Sequence, residues 1–127
     1  MQTPGCRICL RIRGKSKGNA GVEAVYKNID VTGLEQLLEK GSVRLLDVRT
    51  DAEIAQGKIP QGEPMPLHLI PLRMGEMDKS ITTVFYCRSG GRSAQAAAFF
   101  AASGFNDVYN LQGGIIAWAN SGMPIKA

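Results

Sequence analysis

Cys87 follows a β-branched and aromatic stretch, Thr82-Thr83-Val84-Phe85-Tyr86, and leads directly into Arg88-Ser89-Gly90-Gly91-Arg92-Ser93. An alanine-rich run from Ala94 to Ala102 comes next. The first stretch favours a strand and the last a helix, so the cysteine is expected at a strand end, in a glycine turn that opens a helix. Backbone N–H groups converge at such a place and the helix dipole is positive there, which suits an anion. One such anion is the thiolate itself, whose pKa falls from about 8.5 in these surroundings; the other is an incoming substrate. Gly90 and Gly91 let successive N–H groups turn inward as a nest. Arg88 and Arg92 add permanent positive charge with forked donors that match oxyanions. Cys87 is therefore expected to act as a nucleophile, with Arg88, Ser89, Gly90, Gly91, Arg92 and Ser93 as the substrate-binding loop. The chemistry would be covalent, with two displacement steps and no histidine base. A strand-end cysteine is often no more than a small buried apolar residue, but core packing does not explain two glycines and two arginines within the five positions after it.

The elements that must position this loop read as alternating extended and helical segments punctuated by glycine, the pattern of an α/β domain with a mainly parallel sheet. Thr32-Gly33-Leu34-Glu35 has the form of a capping box, which predicts a helix over about Gly33–Lys40, closed by Gly41. Val43 to Val48 is a short apolar run of the buried-strand kind. It feeds a second capping box, Thr50-Asp51-Ala52-Glu53, and a short helix ending before Gly57. Four prolines, Pro60, Pro64, Pro66 and Pro71, predict mostly extended or loop chain between Ile59 and Met74, with room for one helical turn. After the alanine-rich helix stops at Gly104, Val108-Tyr109-Asn110-Leu111 reads as a short strand and Gly114–Asn120 as a last helix, with Trp118 in the core.

Composition bounds the rest. At 127 residues and 44% hydrophobic content the chain has room for one ordinary domain, expected over 22–127 behind a basic, disordered leader at 1–21. No apolar run approaches the ~18 residues of a membrane-spanning helix, so no membrane partner is expected. The net charge of +4 comes from the leader, since residues 1–20 carry +5 and the remainder −1. A basic groove for nucleic acid is accordingly not expected in the domain. Three cysteines do not make a disulfide framework, which fits a reducing, cytoplasmic setting, although the arginines of the leader also fit organelle targeting. Cys6 and Cys9 form a lone C-x-x-C with only Cys87 and His68 left to complete a metal site, so no metal and no cofactor are expected.

With these residues assembled, the chain resembles the rhodanese family from about Tyr26 to its end. Leu46-Asp47-Val48-Arg49 with Glu53 is similar to a first signature, Gly57 to Leu67 to a second, and Cys87 to Ser93 to the active-site loop. Gly104-Phe105, Val108 to Leu111 and Gly113-Gly114-Ile115 to Trp118 resemble the C-terminal signature. The resemblance implies a central, mainly parallel five-stranded sheet flanked by helices, with Cys87 as nucleophile and Asp47, Arg49 and Glu53 as structural residues. It also implies transfer of a sulfane sulfur, from a small anionic donor such as thiosulfate to a thiol, protein thiol or cyanide acceptor, through a persulfide on Cys87, by a monomer. A sulfur-carrying or regulatory binding module is the alternative. Four residues separate Cys87 from Arg92, like the sulfurtransferases, whereas the related phosphatases and arsenate reductases have a longer loop and a wider pocket. The chain departs from the usual Gly-His-Ile-Pro-Gly-Ala at Gly57-Lys58-Ile59-Pro60-Gln61-Gly62, and Ile54 replaces an aromatic.

Overall fold

The computed structural model describes residues 25–126. Five strands, β1 (Lys27–Ile29), β2 (Val43–Asp47), β3 (Glu63–Pro64), β4 (Thr82–Tyr86) and β5 (Val108–Leu111), form one sheet in the order β1-β5-β4-β2-β3. Every pairing is parallel. Parallel neighbours need crossover connections, and the helices that make them cover both faces of the sheet. These are α1 (Val31–Lys40), α2 (Asp51–Ala55), α3 (Ile70–Arg73), α4 (Gly91–Ala102) and α5 (Gly114–Asn120).

The three inner strands, β2, β4 and β5, are largely apolar because both of their faces are buried, whereas the edge strands β1 and β3 are polar and mostly exposed. On β4, Phe85 points into a core layer with Ile70 of α3 and Ala96, Ala97 and Phe100 of α4. Val84 and Tyr86 point the other way, into a layer with Leu34 of α1, Ile59 and Trp118 of α5. Phe85 meets Phe100 edge to face, with ring centroids 4.6 Å apart, a favoured aromatic geometry. Small alanines on α4 let it lie close to the sheet while its two phenylalanines divide, Phe100 buried and Phe99 exposed. Trp118 is 1% exposed and donates through Nε1 to the Pro124 carbonyl, which ties the chain after α5 to the core.

Several predicted boundaries move. The first helix begins at Val31, not Gly33, because Asp30 is the residue that caps it: its carboxylate accepts the Gly33 N–H at 2.8 Å. An Asp immediately ahead of the helix offers a better-placed acceptor than Thr32, which lies inside the first turn. The second capping box, by contrast, forms in full between Thr50 and Glu53. The proline-rich segment is more helical than predicted: turns of 3₁₀ helix at Leu67–Leu69 and Met74–Glu76 flank α3. Pro71 sits in the first turn of α3, where a missing N–H leaves no bond unmade, and Pro64 sits on the edge strand β3, where proline is tolerated. The alanine-rich helix starts earlier than its alanines, at Gly91, so Arg92 and Ser93 belong to its first turn. The leader, with Cys6 and Cys9, lies outside the described residues.

Candidate active site

β4 is the central strand, and Cys87 is the first residue beyond its carboxyl end. In open α/β sheets this end of the strands is where ligands bind. The turn from Cys87 into α4 is made possible by Gly90, the residue before the helix, at φ +115°. That backbone conformation strains any residue with a Cβ.

Within the turn the Gly90 N–H points at Cys87 Sγ from 3.1 Å, and the Ser93 hydroxyl lies 3.4 Å from the same sulfur. Burial pushes the thiol pKa up, since Cys87 is 1% exposed. Hydrogen bonds from the Ser93 hydroxyl and from the N–H groups of Ser93, Gly90 and Ser89 outweigh it and hold the thiol below its ordinary value. The loop's carbonyls are held from the other side. The N–H groups of Ile115 and Ile116, at the start of α5, donate to Cys87 O at 2.9 Å and Arg88 O at 3.2 Å. Gly114 makes this approach possible, because a methyl group there would overlap both carbonyls.

The two loop arginines have different surroundings. Arg92 is held by Glu53 in a two-pronged ion pair, both contacts at 2.8 Å. Glu53 is itself oriented by Thr50, whose N–H and hydroxyl both reach its Oε1 at 3.1 Å. The Arg92 guanidinium, with Thr50 second, brings the Glu53 carboxyl down to about 2. Arg88 is exposed and lines a cleft of about 280 Å³ beside the loop, shared with Glu53, Gln56, Ile115, Ile116 and Ile125. Ser89 is also exposed.

Asp47 and Arg49 form a buried pair at the end of β2. The guanidinium donates to the carboxylate at 2.6 to 3.1 Å and also to the Gly57 carbonyl at 2.8 Å. Asp47 accepts the Arg49 N–H as well, so the pair pins the turn that leads to α2. The hydrogen bond to Asp47 raises the Arg49 pKa further. Where the second signature departs from the usual sequence, Lys58 closes the turn: its ammonium donates to the carbonyls of Ile59, Pro60 and Gly62 at 3.3, 3.1 and 2.9 Å. Ile54 is half-buried, not a core residue. His68 is exposed on the 3₁₀ turn before α3.

Two residues near the sulfur did not stand out in the sequence. Asn110 of β5 lies 2.5 Å from the Ser93 hydroxyl and bonds onward to Asn28 of β1 at 3.2 Å. The one signal was an amide in the middle of an otherwise apolar strand, a place where a polar group needs a partner.

Residues 30–121 match the family of the rhodanese-like domain. A protein named sulfurtransferase from Allochromatium vinosum is 53% identical over 104 residues, covering 81% of this chain and 97% of that protein. The thiosulfate sulfurtransferase GlpE of Shewanella oneidensis is 31% identical, over 73% of this chain and 92% of that one. The crystal structure of a rhodanese-like domain protein from Staphylococcus aureus superposes with a TM-score of 0.69 at 36% identity, covering 80% of this chain and 99% of that one. A five-stranded parallel sheet with a cysteine loop after its central strand, matched along most of the chain, identifies the protein as a member of the rhodanese-like domain family.

Proposed function

We propose that the protein is a sulfurtransferase in which Cys87 takes a sulfane sulfur from a small anionic donor such as thiosulfate and passes it to a thiol or to cyanide. The observation that carries this reading is the ring of donors on Cys87 Sγ, with Gly90 N–H at 3.1 Å and Ser93 hydroxyl at 3.4 Å. They favour the anionic form of the sulfur without a base. Relatives over most of the chain that are named sulfurtransferase support the same chemistry.

In the first step the thiolate attacks the outer sulfur of thiosulfate; the donor's S–S bond breaks and its electron pair leaves with sulfite. Cys87 is then a persulfide anion, solvated by the same N–H groups. In the second step the acceptor attacks the terminal sulfur and Cys87 departs as thiolate, ready for another cycle. A sulfur only 1% exposed favours a slender donor over a bulky one, and Arg88 on the neighbouring cleft supplies positive charge for it. Arg92, held by Glu53, together with Asp47 and Arg49, shapes the loop's surroundings. On this reading the protein works as a monomer in the reducing cytoplasm, which keeps a reactive thiol from being oxidised into a disulfide.

The test is mass spectrometry after treatment with thiosulfate, together with colorimetric detection of thiocyanate after cyanide is added. Wild type is expected to gain the mass of a sulfur atom on Cys87 and to release thiocyanate, and Cys87→Ala to do neither. Identical behaviour of the two proteins would remove Cys87 from the reaction. A wild type that binds a partner yet takes up no sulfur would be a docking module instead.

A further inference from the structure

Ser93 is fully buried, and its hydroxyl stands between two acceptors, Cys87 Sγ at 3.4 Å and Asn110 Oδ1 at 2.5 Å. A serine hydroxyl has one proton to donate, so it cannot serve both. With the proton toward Asn110, the oxygen turns its lone pairs to the sulfur, which suits a neutral thiol and repels a thiolate. With the proton toward the sulfur, the 2.5 Å contact on the other side needs a donor from Asn110. An asparagine amide can be that donor after a half-turn, because it carries N–H groups at one end and an acceptor at the other. Its far end bonds to Asn28, a second amide, which is exposed and can reverse in step. Asn110 is 5% exposed within the sheet, where an amide is costly unless bonded at both ends, and its side-chain bonds both belong to this chain of groups.

We propose that Asn110 is a positioning residue for Cys87: through Ser93 it sets the direction of one hydroxyl proton, and the two directions correspond to the neutral and the anionic sulfur. In the neutral state the bonds run from Ser93 to Asn110 to Asn28. In the anionic state they run from Asn28 to Asn110 to Ser93 to the sulfur. Ionisation breaks only the Cys87 S–H bond, its proton passing to solvent; within the chain of hydroxyl and amides no covalent bond changes and the same donors are satisfied in either direction, so the sulfur can be charged when it attacks and when it departs without leaving a buried polar group unpaired. The charged and titratable groups on the surrounding elements are Arg92 with its partner Glu53, the Asp47–Arg49 pair, Arg88, Tyr86 and Tyr109, and Lys27 beside Asp107. α5 carries none. All of these are left in place by substitution at 110.

This role rests on Cys87 being the reactive atom, as proposed above, but alkylation by iodoacetamide reads the thiolate without any sulfur donor, so the two proposals fail separately. The experiment follows the pH profile of Cys87 alkylation in the full chain for wild type, Asn110→Asp, Ser93→Ala and the double variant. A carboxylate at 110 only accepts, so it holds the Ser93 proton away from the sulfur. Asn110→Asp is expected to move the profile up by about one pH unit, or about tenfold slower alkylation near neutrality. In the Ser93→Ala background the same substitution is expected to change the rate by less than about threefold. Equal effects in both backgrounds would show that the new charge acts directly and would overturn the role, as would no effect in either. If Asn110→Asp does not fold by circular dichroism, Asn110→Leu takes its place. It leaves the sulfur as the hydroxyl's remaining acceptor, so alkylation near neutrality at least as fast as wild type supports the role and slower alkylation overturns it.

Discussion

Arg88 and Arg92 are four positions apart on one loop, and side-chain surroundings alone separate their tasks. Arg92 spends both prongs of its guanidinium on Glu53, whereas Arg88 is exposed on the wall of the cleft and takes part in none of the ion pairs among the described residues. An anionic donor approaching Cys87 therefore has Arg88 to meet. Arg88→Ala is expected to raise KM for thiosulfate about fivefold, the ~1 kcal/mol of a solvent-exposed charge contact, with kcat little changed. The effect should shrink as salt is added, and a neutral persulfide donor should show little of it. Steady-state kinetics with both donors decide this: equal losses would make Arg88 a surface residue without a part in donor binding. The sequence placed both arginines on the loop as anion-binding charges. It could not show that one of them is already paired, because Glu53 is 39 positions away.

At the scale of elements, the loop is held between two helix starts: α4, whose first turn donates to the sulfur, and α5, whose first N–H groups grip the loop's carbonyls. The second contact requires Gly114. Its φ of +58° is costly for other residues, and a Cβ would drive into the backbone oxygens of Cys87 and Arg88. Gly114→Ala is expected to lower stability by about 2 to 3 kcal/mol, in the range of overpacking a closed site, and to slow sulfur transfer as the loop shifts. Thermal unfolding and thiocyanate production measure the two effects. A variant with wild-type stability would mean that α5 does not clamp the loop. Local sequence foretold β4, β5 and α5 closely, since β-branched runs and glycine stops act within a few residues. It misplaced the start of α1, where Asp30 and not Thr32 caps the helix, and understated the helix around Pro71, where proline's meaning depends on whether it falls at the start of a turn or inside one.

For the molecule as a whole, the Glu53–Arg92 pair joins α2 to α4 across the carboxyl end of the sheet, so its charge state enters global stability. The Glu53 carboxyl lies at about 2, below its ordinary 4.5, through the bond from Arg92 first and Thr50 second. A lowered carboxylate pKa stabilises the folded state fully above the ordinary value, and that contribution is lost as pH falls through the folded value. The Glu53 side chain is 31% exposed, so solvent screening limits the contribution to about 1 kcal/mol. Glu53→Gln should therefore be about 1 kcal/mol less stable than wild type at neutral pH, and the gap should narrow below pH 4.5 and close near pH 2. Urea unfolding at a series of pH values measures it. A gap that stays constant across that range would assign the loss to packing or capping and not to the ion pair.

The sequence by itself determined the alternation of strands and helices, the place of Cys87 at a strand end, the glycine turn after it and the capping box at Thr50, because each depends on neighbours along the chain. Only the tertiary structure decided which arginine is paired with Glu53, that α5 reaches back to hold the loop, and that Asn110 and Asn28 line up behind Ser93. Those facts join residues up to 82 positions apart. They arise from the crossover order of a parallel sheet, which sets β5 beside β4 and β1 beside β5, and a property of strand order has no signature in the spacing of residues along the chain.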